Sequence, residues 1–169
     1  MGQHPHPLNW LKEINKESYL WSLCCCGYNE EMAKDVLQDA YLKVIEKKAR
    51  YSSNSHRKTW FFSVIKFTAL DALRKRKPTK VSVHEAHDIV DDSCSIDLKS
   101  DDRVNFKEIL STLSTQQREI LTLVFYNNLS IHSAANVLNM KVGTARTHYK
   151  RGKENFKKQL LRMESKMLK

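Results

Sequence analysis

Glycine and proline are scarce in this chain, with four and three respectively in 169 residues. Both residues punctuate sheet-and-turn architectures, so the long uninterrupted stretches that remain favour helices. No apolar run approaches the ~20 residues of a membrane span. The first residues, MGQHPHPLNW, lack a signal peptide's basic start and apolar segment, and a cytoplasmic protein is expected. Metal-ligand spacing is missing as well. Cys24, Cys25 and Cys26 are consecutive; on a helix they point in three directions, cannot converge on one ion and are poorly placed for disulfides with one another. They read as small buried hydrophobes. His84, His87 and Cys94 match no common zinc pattern and lack a fourth ligand, so neither metal nor cofactor is expected. The acids cluster without ligand spacing, which argues against a nucleic-acid-processing enzyme.

What the chain has in excess is positive charge. A formal net charge of +10 and an isoelectric point near 9.5 imply attraction to polyanions, nucleic acid before anionic membrane. The charge is unevenly spread. Between Pro78 and Asn105, seven acids (Glu85, Asp88, Asp91, Asp92, Asp97, Asp101 and Asp102) oppose only Lys80, Lys99 and Arg103, a net of −4 that leaves about +14 for the rest. This shift marks a linker between two basic domains. Such a linker is either simply solvated or an imitation of a nucleic-acid strand in a positive channel.

The most informative stretch is RKTWFFSVIKFTALDALRKRK, Arg57 to Lys77, stopped by Pro78. At ~100° per residue, Phe61, Phe62, Ile65, Ala69, Ala72 and Leu73 gather on one side as a core stripe. Trp60, Phe67, Asp71 and Arg74 share another side, where aromatics mix with charge, and Phe67 is the better placed for exposure. That composition suits either core packing or stacking on unpaired bases beside cations. The loop before it, Arg50 to His56 (RYSSNSH), is either an ordinary connector or a set of donors and acceptors for a splayed-out base. Upstream, one helix is expected from about Leu8 to Gly27. A second, reaching about Ala49, has Ala33, Val36, Leu37, Ala40, Tyr41, Val44 and Ile45 as its apolar period. Its other face, Lys34, Asp35, Gln38, Asp39, Lys43 and Glu46, reads from the residues alone as a solvated mixed-charge surface.

In the second half, Val104, Phe106, Ile109, Leu110 and Leu113 are the apolar positions of a helix beginning near Asp102. Ser114 and Gln117 fit a capping box ahead of Ile120, Leu121, Leu123, Val124 and Phe125. Ser130 is placed to cap a short helix through Ala134, Ala135, Val137 and Leu138, and Asn139 is the expected left-handed turn residue. A last basic helix starts near Val142. A short helix, a tight turn and a basic helix make a helix-turn-helix, whose second helix enters the major groove. Arg146 and Lys150 lie one turn apart, with Thr147 and Arg151 on the adjacent ridge.

AKDVLQDAYLKVIEKKARY and KTWFFSVIKFTALDALRKRK in the first half, with LSTLSTQQREILTLVFYNNLSIHSAANVLNMKVGTARTHYKRGKENFKKQL in the second, together resemble regions two and four of bacterial extracytoplasmic-function (ECF) sigma factors. The resemblance covers most of residues 18 to 160. It implies an all-α protein of two small helical domains joined by a flexible acidic linker: region two over residues 1–77, the linker over 78–102, and a helix-turn-helix region four over 103–169. It also implies a non-enzymatic initiation subunit, with core RNA polymerase (largest and second-largest subunits) and promoter DNA as partners and an anti-sigma factor or a DNA-targeting recruitment partner as further ones. The alternative is a stand-alone helix-turn-helix regulator. Carried over by position, Asp35, Gln38 and Asp39 fall on the polymerase-docking helix. Ser52, Ser53, Asn54, Ser55 and His56 form the loop that captures a flipped minus-ten base, and Trp60, Phe67, Asp71 and Arg74 face melted DNA. Thr144, Arg146, Thr147, His148, Lys150 and Arg151 lie on the minus-thirty-five helix, and the linker threads toward the RNA exit path. The chain departs from the family at several positions. Phe67 stands where many members carry asparagine, Asn139 and Lys141 replace a glycine and a proline, and Ala145 and His148 replace valine and arginine. Phe67 therefore offers stacking in place of a polar base contact, and the changes at Asn139, Lys141, Ala145 and His148 imply weaker unaided recognition of the upstream element.

Overall fold

The computed structural model describes residues 7–52, 54–76 and 106–167, and these divide into two compact helical units. No strand occurs among the described residues. The expected linker and the trio His84, His87 and Cys94 lie outside them.

The first unit contains α1 (Pro7–Glu13), α2 (Asn15–Cys25), α3 (Glu30–Ile45) and α4 (Arg57–Arg76). One helix was expected from Leu8 to Gly27; instead Ile14 leaves helical geometry at φ −99°, ψ 10° and divides it. No glycine or proline announces that break. The stop at Gly27 is as expected. Gly27 sits at φ +62°, and Tyr28 N–H bonds back to the Leu23 carbonyl at 2.8 Å, closing a left-handed cap of the Schellman kind. Asn29 then starts α3, its side-chain oxygen accepting from Met32 N–H at 2.8 Å, which satisfies one of the helix's orphan donors. At the far end of α4, Arg74, Lys75 and Arg76 complement the helix dipole.

The α2, α3 and α4 helices pack on one another in pairs. Trp21, Val36, Phe61, Phe62 and Ile65 are fully buried between them, each contributing roughly 1.5–3 kcal/mol of hydrophobic stabilisation. Trp21 stacks on Phe62 at 6.2 Å and donates its indole N–H to the Phe62 carbonyl at 3.0 Å. Cys24, Cys25 and Cys26 are all buried, and none of them is joined in a disulfide. Burial pushes the Cys26 thiol up to about 12, because a thiolate there would be stripped of water. Ile45, expected in the apolar stripe of α3, is instead exposed: it closes the helix, and Lys47 just beyond turns left-handed at φ +57°.

The second unit contains α5 (Phe106–Ser111), α6 (Thr115–Leu121), α7 (Ile131–Val137) and α8 (Val142–Met167). Its core joins Leu110, Leu113 and Leu121 to Tyr149 and Phe156 of α8, with Ile109, Ile120 and Leu123 fully buried. The α6 and α8 helices cross closely at Gly152, where an added Cβ would stand 3.2 Å from Leu121 Cδ1 and 3.3 Å from Gln117 Cβ. The expected capping box at Ser114 does not form. Ser114 makes no side-chain cap bond, and Gln117 Oε1 accepts from Asn155 of α8 at 3.1 Å instead. Thr122–Tyr126 continue α6 as a π-turn, in which Asn127 N–H reaches back five residues to the Thr122 carbonyl at 3.2 Å. The Asn127 side chain donates to that same oxygen at 3.2 Å.

Candidate nucleic-acid interface

In the second unit, Ser130 caps α7 as expected, accepting from Ser133 N–H at 3.0 Å. Asn139, at φ +51°, ends that helix, and Met140 N–H bonds the Ala135 carbonyl at 3.0 Å. This compact turn lets α8 cross α7 where Ala134, Ala135 and Ala145 are all fully buried; only methyl side chains permit so close an approach. The crossing fixes the outward arc of α8, on which Thr144, Arg146, Thr147, Lys150 and Arg151 are exposed. Thr147 Oγ1 donates within its own helix to the Gly143 carbonyl at 3.1 Å, leaving its lone pairs and methyl for contact. His148 differs: it is half-buried, and its Nδ1 is enclosed without a hydrogen-bond partner. Burial first, and the neighbouring Arg151 charge second, hold its pKa below the usual imidazole range. Beside this arc, Phe125, 57 % exposed, stacks on Tyr149 at 5.8 Å, and Lys153 Nζ lies 4.6 Å from the Tyr149 ring centre.

In the first unit, the outer ridge of α4 carries Trp60, Phe67, Asp71 and Arg74. Phe67 is 51 % exposed, as its helical position predicts. Trp60 is half-buried, meeting Tyr51 at 5.4 Å and Trp10 at 6.4 Å. Asp71 lies between two cations, Lys43 Nζ at 3.9 Å and Arg74 at 3.8 Å. Lys43 also donates to Thr68 Oγ1 at 3.0 Å, so this end of the ridge is tied to α3. In the preceding loop Ser52, Asn54 and His56 are exposed and Ser55 is half-buried, while Ser53 lies outside the described residues. Tyr51 donates to the Ser55 carbonyl at 2.5 Å.

The exposed face of α3 carries Asp35, Gln38 and Asp39. On the same ridge Leu42 is 43 % and Ile45 49 % exposed, so the acids border an apolar strip. Sequence reasoning missed that strip, along with Tyr51 and Trp10. Leu42 offered a signal in its position four residues after Gln38, whereas Tyr51 and Trp10 lie outside the α4 pattern and are joined to it only by folding.

Among the described residues no three or more His, Cys, Asp or Glu side chains gather as a metal site, and no helix is long and apolar enough to cross a membrane.

Two all-helical units, the second closing on a helix-turn-helix with an outward basic arc, define the architecture of a DNA-binding protein. Residues 17–79 match the family model for Sigma-70 region 2, and residues 103–156 that for Sigma-70, region 4. The chain belongs to the sigma-70 family of RNA polymerase sigma factors, in its ECF group. It is 24 % identical to the ECF RNA polymerase sigma factor SigW of Bacillus subtilis over 78 % of this chain and 77 % of that one. It is 29 % identical to ECF RNA polymerase sigma factor SigC of Mycobacterium tuberculosis over 72 % and 66 %. In fold it is similar to the sigma factor RpoE of Bartonella quintana, solved with the anti-sigma factor NepR, with a TM-score of 0.69 and 22 % identity over 90 % of this chain and 95 % of that one. CnrH, solved with the cytosolic domain of CnrY, gives a TM-score of 0.60 and 16 % identity over 89 % and 84 %. Sigma factors are non-catalytic and serve RNA polymerase in transcription initiation, so this chain is a transcription initiation factor rather than an enzyme.

Proposed function

We propose that the region spanning residues 1–77 binds core polymerase and melted minus-ten DNA, and that residues 103–169 read the minus-thirty-five element, with the acidic segment 78–102 joining them toward the RNA exit path. Asp35, Gln38 and Asp39 dock on the largest subunit, with Leu42 and Ile45 adding apolar contact at the end of the same ridge. Ser52 to His56 hold one flipped base, and Trp60, Phe67, Asp71 and Arg74 follow the unpaired non-template strand. On α8, Thr144, Arg146, Thr147, Lys150 and Arg151 meet the upstream major groove, with His148 at its edge. The observation that carries this reading is a ridge on one unit that joins the exposed Phe67 and the half-buried Trp60 to charged groups, together with an exposed basic recognition helix on the other: the first suits unpaired bases, the second duplex. Flipping costs a few kcal/mol per base, stacking returns ~1–3 kcal/mol per base, and phosphate contacts add a salt-sensitive term.

Where the family resemblance implies arginine, this chain has a half-buried His148 whose charged form is disfavoured. The recognition helix is short of one cation, which supports delivery to promoters with help from another DNA-bound protein. An anti-sigma factor is a further expected partner, since both structural relatives named above were solved as complexes of that kind or with a cytosolic partner domain.

Run-off transcription with purified core polymerase, with and without the protein, tests the whole reading. No protein-dependent transcript from any promoter sequenced after overexpression would overturn it. Core binding that survives Asp35→Lys with Asp39→Lys would sink the docking assignment. Replacing Arg146 and Lys150 with alanine is expected to weaken duplex binding and to lower the log–log salt slope by about 2.

A further inference from the structure

We propose that Lys43 of α3 is a phosphate-contacting residue for the unpaired strand, and that the buried Thr68 of α4 is the positioning residue that aims it. This rests on the reading that the outer ridge of α4 follows single-stranded DNA, and it adds to that ridge a cation from a different helix.

From spacing alone Lys43 belongs to the mixed-charge face of α3, where Asp39 stands one turn before it at the spacing of a helical ion pair. Folding takes it elsewhere. Its Nζ reaches across to α4, donating to Thr68 Oγ1 at 3.0 Å and lying 3.9 Å from Asp71 Oδ2. Thr68 is 3 % exposed, and its own hydroxyl proton is committed to the Val64 carbonyl at 2.8 Å. Only its lone pairs therefore face Lys43, which fixes the direction of that bond. A solvated lysine head is a mobile point charge on a four-carbon stem. This one is tethered before any ligand arrives, so less side-chain freedom is left to lose on binding.

The tether does not use the cation up. The Lys43 side chain is 36 % exposed, and an ammonium has three donors. Thr68 takes one of them, while Asp71 is too far for a hydrogen bond and acts only as a neighbouring charge. On α4, at ~100° per residue, Thr68 and Arg74 fall about 60° to either side of Asp71. Arg74 lies 3.8 Å from the same carboxylate. Two positive charges thus flank one negative, a local +1, and the acid offsets the repulsion between the cations. Phe67, 51 % exposed, precedes Asp71 by one turn on the same ridge. An open ring face beside two separated cations that keep free donors suits a chain of unpaired bases joined by phosphates. A duplex would offer the phosphates without the open base faces.

A labelled twelve-nucleotide single strand, titrated with the full chain from low to physiological salt and followed by fluorescence anisotropy, tests the assignment. Lys43→Gln should weaken binding about 2- to 5-fold at the lowest salt and lower the log–log salt slope by about 0.7, one single-strand phosphate contact, while Lys43→Arg keeps both. Thr68→Val, which keeps the shape and removes the hydroxyl, should weaken the parent but add nothing in a Lys43→Gln background, and Thr68→Ser should restore the parent affinity. Wild-type protein that binds no single strand, alone or joined to core polymerase, overturns the underlying reading and the assignment with it. Binding with the Lys43→Gln slope unaltered overturns the assignment alone, and a loss of core-polymerase affinity in that variant would place Lys43 on the docking face instead. Equal losses for Thr68→Val in both backgrounds would make Thr68 a packing residue and overturn its role in aiming Lys43. Should Thr68→Val fail to fold by circular dichroism, Thr68→Ala replaces it in the same cycle, and the Lys43 variants decide the contact.

Discussion

Replacing Gly152 with alanine sets two effects of known size against each other. In an exposed helix, alanine is favoured over glycine by ~1 kcal/mol, and a free site would gain about that much. At position 152 the new methyl would lie 3.2 Å from Leu121 Cδ1 and 3.3 Å from both Leu121 Cγ and Gln117 Cβ. The leucine end can rotate, but Gln117 Cβ is fixed to the α6 backbone and its amide is held by Asn155. Parting the helices by a few tenths of an ångström is an overpacking strain of ~1–3 kcal/mol. The net expectation is a loss of about 1 kcal/mol, and for a unit of this size that lowers Tm by ~4–8 °C. Scanning calorimetry of the full chain, fitted to separate transitions for the two units, should show the second fall and the first stay. A rise in the second transition would mean that propensity wins, and that α6 and α8 are farther apart than described.

Three further outcomes follow from the core and from the titrating groups. Trp21→Phe removes a buried hydrogen bond and part of a stacked ring and should cost about 2–3 kcal/mol in denaturant melts of the first unit; a change under ~0.5 kcal/mol would contradict the packing described. In a Cys94→Ser background, the thiols of Cys24, Cys25 and Cys26 should resist an aromatic disulfide reagent at pH 8 and all react once denaturant is added, because all three are buried and the thiolate of Cys26 is further disfavoured, its thiol being pushed up to about 12. Prompt labelling of the native protein would show that they are accessible. The His148 pKa is lowered by folding, so near pH 6 the unfolded chain binds more protons than the native one. The second unit should therefore lose stability as pH falls through ~6.5, levelling off below the native value. His148→Gln should flatten that part of a Tm–pH profile, and an unchanged slope would assign it to another group.

Local rules made much of this fold legible. Gly27 and Asn139 turn left-handed because their residue types tolerate it, and Ser130 caps because a hydroxyl there meets a free N–H. Phe61, Phe62, Ile65 and Ala69 recur at helical spacing and are all buried. The misses share a different cause, a tertiary partner that sequence spacing cannot see. Gln117 leaves its capping box because Asn155, 38 residues away, competes for its amide. Ile45 keeps the period of α3, but the helix ends there with nothing packed over it. At the interface, Phe67 and the basic arc of α8 followed from helical geometry alone. Tyr51 and Trp10 did not, because their relation to Trp60 is made by a loop closure and by the extra break at Ile14, neither of which has a periodic signature.

The π-turn at Thr122–Tyr126 has a consequence for comparing this chain with others. A wider turn stores one more residue than an α-helix would over the same rise, and here the extra residue is locked in place by Asn127, whose backbone and side chain both bond the Thr122 carbonyl. It is in effect an insertion preserved in the backbone. Against a relative whose helix is regular here, a correct alignment must open a single gap between residues 122 and 127. Closing that gap would shift every assignment after it by one position, placing Thr147 where Arg146 belongs and turning the recognition arc of α8 by ~100°.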